Sequence, residues 1–322
     1  MAKNDYTYAV ARIRAREGKL LSASFLEQLV SAPDCDSCIR LLREKGWGDK
    51  DGEAPFELLS KERERLWELM EELVGDLSVF NVFLYRNDYH NLKAAIKETC
   101  MDVHLPGIYI SHGTVDPEVI QTAVSKKLFS ELPSTMQTPA RTAYETLLTT
   151  HDGQLCDVIL DRAALTAVYQ AGKDSGNEFL ALYGELTVAA ADIKIAYRAL
   201  RTGKEPDFLT QALVPCDSLD LPSLIEASGK GRKGLSEYLK TTAYGKGTDA
   251  LDVSCSAFER WCDNLLIQRI RPQLHVPFGL GPLAAYILAR ENEIKSVRII
   301  LSGKINHLPE ESLRERVRET YV

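Results

Sequence analysis

Three phrases of one pattern, Asn91-Leu92-Lys93, Asp192-Ile193-Lys194 and Glu293-Ile294-Lys295, follow one another at intervals of 101 residues, twice over. A fixed period marks internal duplication, and duplication constrains a fold strongly because each copy must build the same local structure. Other landmarks recur in the same order. An acidic-Arg pair precedes each phrase, at Glu64-Arg65, Asp161-Arg162 and Glu259-Arg260, spaced 97 and 98 residues apart. Farther upstream lie three short apolar runs that end in serine: Phe25 to Ser31, Val119 to Ser125 and Leu224 to Ser228. The period exceeds the roughly 20–50 residues of a solenoid repeat, so each copy reads as a small domain. The expected boundaries are residues 1–105, 106–206 and 207–322, with the copies related by three-fold rotation about one axis.

Helical periodicity dominates within the copies. Ser60 is placed as the N-cap of a helix with Glu62 and Glu64 in its first turn, followed by a stripe of Leu66, Leu69, Met70, Leu73 and Leu77. Asp116-Pro117-Glu118 reads as a cap, a first-turn proline and an acid matched to the helix dipole. Leu308-Pro309-Glu310-Glu311 opens a last helix with Leu313 and Val317 on one face. The second and third phrases continue the same way, with Ile193, Tyr197 and Leu200 on one stripe and Ile294, Val297 and Leu301 on the other. Each run reaches a Gly-Lys, so Gly203 and Gly303 are expected to end helices, with Lys304 near a negative helix end. Small residues at Val188-Ala189-Ala190-Ala191 predict that one helix face lies near another backbone or a partner surface. The best strand candidate, His104 to Ile110, is short and broken by Pro106. The expected class is all-α, with roughly 18–20 helices in three related bundles.

Composition removes several function classes. A chain of 322 residues with 45% apolar content can build a sizeable core, and a net charge of −7 argues against a general nucleic-acid binder. The longest apolar stretch, Val276 to Ala289, is interrupted by Pro277, Gly279, Gly281 and Pro282 and falls short of the roughly 20 residues a membrane span requires. Lys3, Asn4 and Asp5, leading to Arg12, Arg14 and Arg16, do not form a signal peptide's apolar core, so a cytoplasmic location is expected. Seven cysteines, an odd number, suit reduced thiols, and Cys35-Asp36-Ser37-Cys38 lacks the second pair or spaced histidines of a zinc site. Every Gly-Lys is followed by a residue other than Ser or Thr, which excludes a Walker A loop. Gly229-Lys230-Gly231-Arg232-Lys233-Gly234 matches G-x-G-x-x-G but follows a helical run; it reads as a mobile basic loop, with phosphate or lipid-headgroup contact as the alternative. No catalytic, cofactor-binding or metal-binding residue is assigned.

Three stretches carry a family resemblance: Tyr8-Ala9-Val10-Ala11-Arg12-Ile13-Arg14-Ala15-Arg16 with Leu20-Leu21, then Leu84 to Lys93, and Leu283 to Arg298. They resemble the C-type subunits of archaeal and bacterial V/A-type ATPases, whose eukaryotic relative is the d-type subunit. The likeness covers both ends and the total length and is looser in the middle third. It implies a funnel-shaped, pseudo-three-fold socket at the cytoplasmic face of the membrane, capping the rotor ring of proteolipid subunits and receiving the central stalk of D- and F-type subunits. Such a subunit is non-catalytic, needs no cofactor and transmits torque linked to proton or sodium transport. Asn91, Lys93, Asp192, Lys194, Glu293 and Lys295 are the candidate interface, since equivalent positions in three copies would ring a common axis; the same six can equally form ion pairs within the chain. Two other classes fit the composition: a soluble helical adaptor, distinguished by what co-purifies, and an enzyme using Cys35/Cys38 or the basic loop, distinguished by metal and nucleotide binding.

Overall fold

The computed structural model describes residues 6–48 and 54–322; Lys3, Asn4 and Asp5 lie outside them. Among the described residues there are sixteen α-helices, four short 3₁₀ turns and no strand, as the all-α expectation requires. An isolated bridge joins Cys216 and Leu219, and His104 to Ile110 runs as irregular chain. The chain divides into two compact units, Met1–Leu77 with Asp249–Val322, and Ser78–Thr248. The first begins with α1 (Thr7–Glu17), α2 (Ala23–Ser31), α3 (Cys35–Glu44) and α4 (Pro55–Val74). The second holds α5 (Asn81–Met101), α6 (Pro117–Ser125), α7 (Ser134–Thr150), α8 (Gly153–Asp174), α9 (Glu178–Thr202), α10 (Pro206–Ala212), α11 (Leu221–Gly229) and α12 (Gly231–Lys240). Then α13 (Thr248–Val253) leads back to the first unit and to α14 (Cys255–Ile270), α15 (Gly281–Ile305) and α16 (Glu310–Arg314).

The first unit is assembled around α15, which touches α1, α2, α3, α4, α14 and α16. Every residue from Pro282 to Ala289 is buried, because a helix that is apolar all round has no face to offer water. Ile294, Val297 and Leu301 form the expected stripe, fully buried against Leu29, Leu42 and Leu58. Helix α4 starts earlier than the capping pattern indicates. Pro55, with its φ preset for a first turn, opens it, and Ser60 lies inside, its hydroxyl donating to the Phe56 carbonyl at 3.2 Å. Burial of Leu58 and Leu59 carries the apolar stripe N-terminally past Ser60, and tertiary packing outweighs the local cap. Leu66, Leu69 and Met70 are buried as expected, while Leu73 is half-buried and Leu77 lies beyond the helix in a 3₁₀ turn.

Gly303 does not end a helix. It is buried within α15, where a Cβ would collide with Leu313 Cδ2, so the glycine makes room for the fully buried Leu313 of α16. Lys304 reaches away from its own helix and donates to the Val30 carbonyl in the last turn of α2 at 2.6 Å. Gly203 does cap α9, at φ 66°. One dipeptide therefore serves two purposes, set by what packs beside it. Helix α16 begins after Pro309 as expected but runs only five residues, with Leu313 buried and Val317 packed against the same core.

In the second unit, α5, α6, α7 and α8 enclose a core that includes Leu92, Ile96, Ile120, Met136 and Leu160. Asp116 caps α6 as its sequence indicates, accepting from the Glu118 amide at 2.7 Å ahead of Pro117. At Val188–Ala191, Val188 and Ala189 are fully buried and Ala190 and Ala191 are half-buried. A close backbone approach lies one to two turns earlier, where α8 and α9 meet at Gly172 and Gly184 and a Cβ on Gly172 would meet the Leu180 carbonyl oxygen at 2.8 Å. The Gly229–Gly234 stretch is not a mobile loop. It is the corner between α11 and α12, and a Cβ at Gly234 would come within 2.7 Å of the Ala227 carbonyl oxygen.

If Gly303 is needed for the seat of Leu313, Gly303→Ala should destabilise the fold by about 1–3 kcal/mol through overpacking, read from urea denaturation. The penalty should largely disappear in a Leu313→Ala background, because contacting sites couple. An equal penalty in both backgrounds would place the strain elsewhere.

Candidate functional site

The three repeated phrases sit on three long helices, α5, α9 and α15, of 21, 25 and 25 residues. Their first members, Asn91, Asp192 and Glu293, are 0%, 0% and 3% exposed. Each is bonded to the backbone of a segment that leads into a short helix. On α5 the Asn91 side chain accepts from the Ile110 amide and donates to the Ile110 carbonyl, both at 2.9 Å. One turn before it, buried Asp88 accepts from the Thr114 amide at 2.8 Å, the Thr114 hydroxyl at 2.6 Å and the Val115 amide at 3.1 Å. On α9, Asp192 Oδ1 accepts from the Val214 amide at 3.1 Å, and Glu185 accepts from the amides of Asp217 at 3.1 Å and Ser218 at 2.8 Å. On α15, Glu293 Oε1 accepts from the Leu21 amide. Backbone groups that belong to no helix or sheet ladder must find other partners when buried, and these side chains supply them.

The pinned lead-ins run into α6, α11 and α2, the same three short helices that carry the recurrent serine. Helix α5 holds the lead-in to α6, α9 holds the lead-in to α11, and α15 holds the lead-in to α2 near the start of the chain.

Glu293 is the most elaborated of the three. Arg290 donates through Nη1 to Glu293 Oε2 at 2.6 Å and through Nη2 to Glu62 Oε2 at 2.7 Å. Glu62 Oε1 also accepts from Arg65 at 2.6 Å and from the Gly48 amide at 3.0 Å, and Arg65 donates to the Gly46 and Gly48 carbonyls at 3.1 Å each. The Arg290 guanidinium lies over the Trp47 ring, 4.8 Å from its centroid. Burial pushes Glu293 up to about 7, while Arg290 and the Leu21 amide pull it back. Both of its oxygens accept from N–H donors, the arrangement of a carboxylate anion. Burial likewise raises Asp88 against the pull of its Thr114 and Val115 bonds. Sequence reading named Glu62 only as a first-turn acid and did not single out Arg290, Asp88 or Glu185; the available signal was charge three residues apart, Glu62 with Arg65 and Arg290 with Glu293.

Two of the lysines of the phrases, Lys93 and Lys295, lie near acids of the acidic-Arg landmarks. Lys93 lies 2.5 Å from Asp161 and 3.7 Å from Asp157 on α8, and Lys295 lies 2.6 Å from Asp263 and 3.9 Å from Glu259 on α14. Lys194 is half-buried on α9. Arg162 donates to the Gln211 carbonyl at 3.2 Å. Cys38 is buried on α3, its thiol bonded to the Leu29 carbonyl at 3.2 Å and pushed by burial up to about 11, which leaves it unreactive. Among the described residues no group of three or more His, Cys, Asp or Glu could hold a metal ion, and no helix is long and apolar enough to cross a membrane.

Comparison with known proteins finds relatives along nearly the whole chain. The sequence pattern of the ATP synthase (C/AC39) subunit family matches residues 9–316. The C-type subunit of the V-type sodium ATPase of Enterococcus hirae is 26% identical over 320 residues, covering 96% of this chain and 97% of that protein. Its counterpart in the V-type ATP synthase of Thermus thermophilus is 25% identical over 98% of both chains. The one in the A-type ATP synthase of Methanocaldococcus jannaschii is 23% identical, over 96% of this chain and 85% of its own.

Removing Arg290 tests the buried network. Arg290→Met leaves buried Glu293 without its cation and should cost about 3–5 kcal/mol. In that variant burial holds the Glu293 carboxyl above its ordinary value in the fold, so its stabilising protonation is lost as pH rises and the deficit grows from acid toward neutral pH. Urea denaturation at a series of pH values measures it, and a deficit independent of pH would count against the network.

Proposed function

Because the chain belongs to the ATP synthase (C/AC39) subunit family, we propose that it is a non-catalytic rotor subunit of a V/A-type ATPase, coupling the central stalk to the membrane ring. The reading is supported most directly by the pin that recurs three times and closes from the last copy onto the first. A coupling has to carry torque without yielding, and a fully bonded buried polar contact holds one arrangement of backbone better than apolar packing alone. In this reading the copies at residues 1–105, 106–206 and 207–322 surround a common axis as a funnel-shaped socket. The stalk's D- and F-type subunits seat in it, and the ring of proteolipid subunits lies beneath, at the cytoplasmic face of the membrane. Asn91, Asp192 and Glu293 serve the socket from inside by holding its lead-ins, and the half-buried Lys93, Lys194 and Lys295 are the members of the six nearer to partners.

A coupling subunit has no chemistry of its own, so its effect is visible only in the complex. Complexes depleted of this chain should retain ATP hydrolysis yet lose ATP-driven proton or sodium uptake into vesicles and lose sensitivity to ring-directed inhibitors. Both activities are measured on one depleted preparation. Uptake that persists in proportion to hydrolysis would remove the coupling role and leave a helical adaptor as the better description.

A further inference from the structure

The three pins are equivalent in place but differ in how completely they are bonded. Asn91 uses both ends of its carboxamide, accepting from the Ile110 amide and donating to the Ile110 carbonyl. Glu293 accepts at both oxygens, from Leu21 and Arg290. Asp192 accepts at Oδ1 from the Val214 amide, but its Oδ2 is buried with no donor among the described residues within reach. A fully buried carboxylate with one bare oxygen is a costly arrangement, since an unpaired anion loses its hydration without replacement.

We propose that Asp192 is a neutral carboxylic acid in the fold, its protonated Oδ2 sparing the site a bare buried anion, so that the hold of α9 on the segment at Val214 depends on pH. The surroundings favour the neutral form. From α8 the Arg162 guanidinium is the cation acting on Asp192, and Arg162 itself donates to the Gln211 carbonyl. From α9 itself Glu185 opposes ionisation. The Cys216 thiol of the lead-in faces it and is neutral. Helices α10, α11 and α12 also pack on α9, and no charged group of theirs acts on Asp192 among the described residues. Burial outweighs the Val214 bond and Arg162 and pushes the group up to about 8. Below that pH an uncharged carboxyl holds the Val214 amide; above it, a bare anion lies against the backbone and the segment from Val214 to Leu219 loosens.

Asp192→Asn converts this pin into the Asn91 type and provides the test. An unfolded aspartate ionises near 3.8 and the folded one near 8, so between these the unfolded chain binds fewer protons and wild-type stability falls as pH rises. The unfolding constant of the wild type relative to Asp192→Asn should therefore rise by up to about tenfold per pH unit across that window and level off above it. A ratio that stays constant across the window would overturn the proposal. Should the variant fail to fold, NMR of the wild-type protein decides: the Val214 amide and one aspartate side-chain carboxyl should titrate together near 8. A Val214 amide that does not move through that midpoint would overturn the proposal equally.

Discussion

The architecture depends on a bond between a buried polar side chain on a long helix and a backbone amide in a segment that has no ladder of its own. Irregular chain cannot be buried cheaply, because each amide left without a partner costs about 1–3 kcal/mol. Here α5, α9 and α15 take on that requirement with Asn91, Asp192 and Glu293, helped by Asp88 and Glu185. The lead-ins are thereby tied against these helices, and the short helices α6, α11 and α2 start from defined positions.

The three solutions differ in chemistry because their neighbours differ. The carboxamide of Asn91 satisfies both groups of one residue without charge. Glu293 carries charge and therefore needs Arg290, which in turn needs Glu62, and the chain of contacts extends through Arg65 to the backbone at Gly46 and Gly48. Asp192 has Arg162 nearby but no donor at its second oxygen. A buried charge is stable only to the extent that its whole coordination is satisfied, so one acid has recruited a network while the other is driven toward neutrality.

Buried polar contacts of this kind restrict a segment to one position, and α5, α9 and α15 each hold one lead-in this way. The salt bridges of Lys93 and Lys295 to α8 and α14 add connections between helices, though partly exposed pairs contribute little each. Membership of the ATP synthase (C/AC39) subunit family sets these contacts in a non-catalytic subunit of a V/A-type complex.

Sequence alone determined the helical class, the period of 101 residues and several local signals, because these depend on spacing along the chain. Asp116-Pro117-Glu118 and Gly203 did what local chemistry requires of them, since their bonding partners lie within a few residues. Where the partner is distant in sequence the local reading failed. Ser60 became a helix interior because Leu58 and Leu59 found a core, and Gly303 became a seat for Leu313. The Gly229–Gly234 stretch became a helical corner. The repeated phrases were visible as a repeat, but not that their first residues point inward: Asn91, Asp192 and Glu293 are as polar as any surface residue, and only backbone amides up to 272 residues away make their burial favourable. Tertiary structure decided their role because burial of a polar group is settled by its partner, and the partner is brought there by the fold.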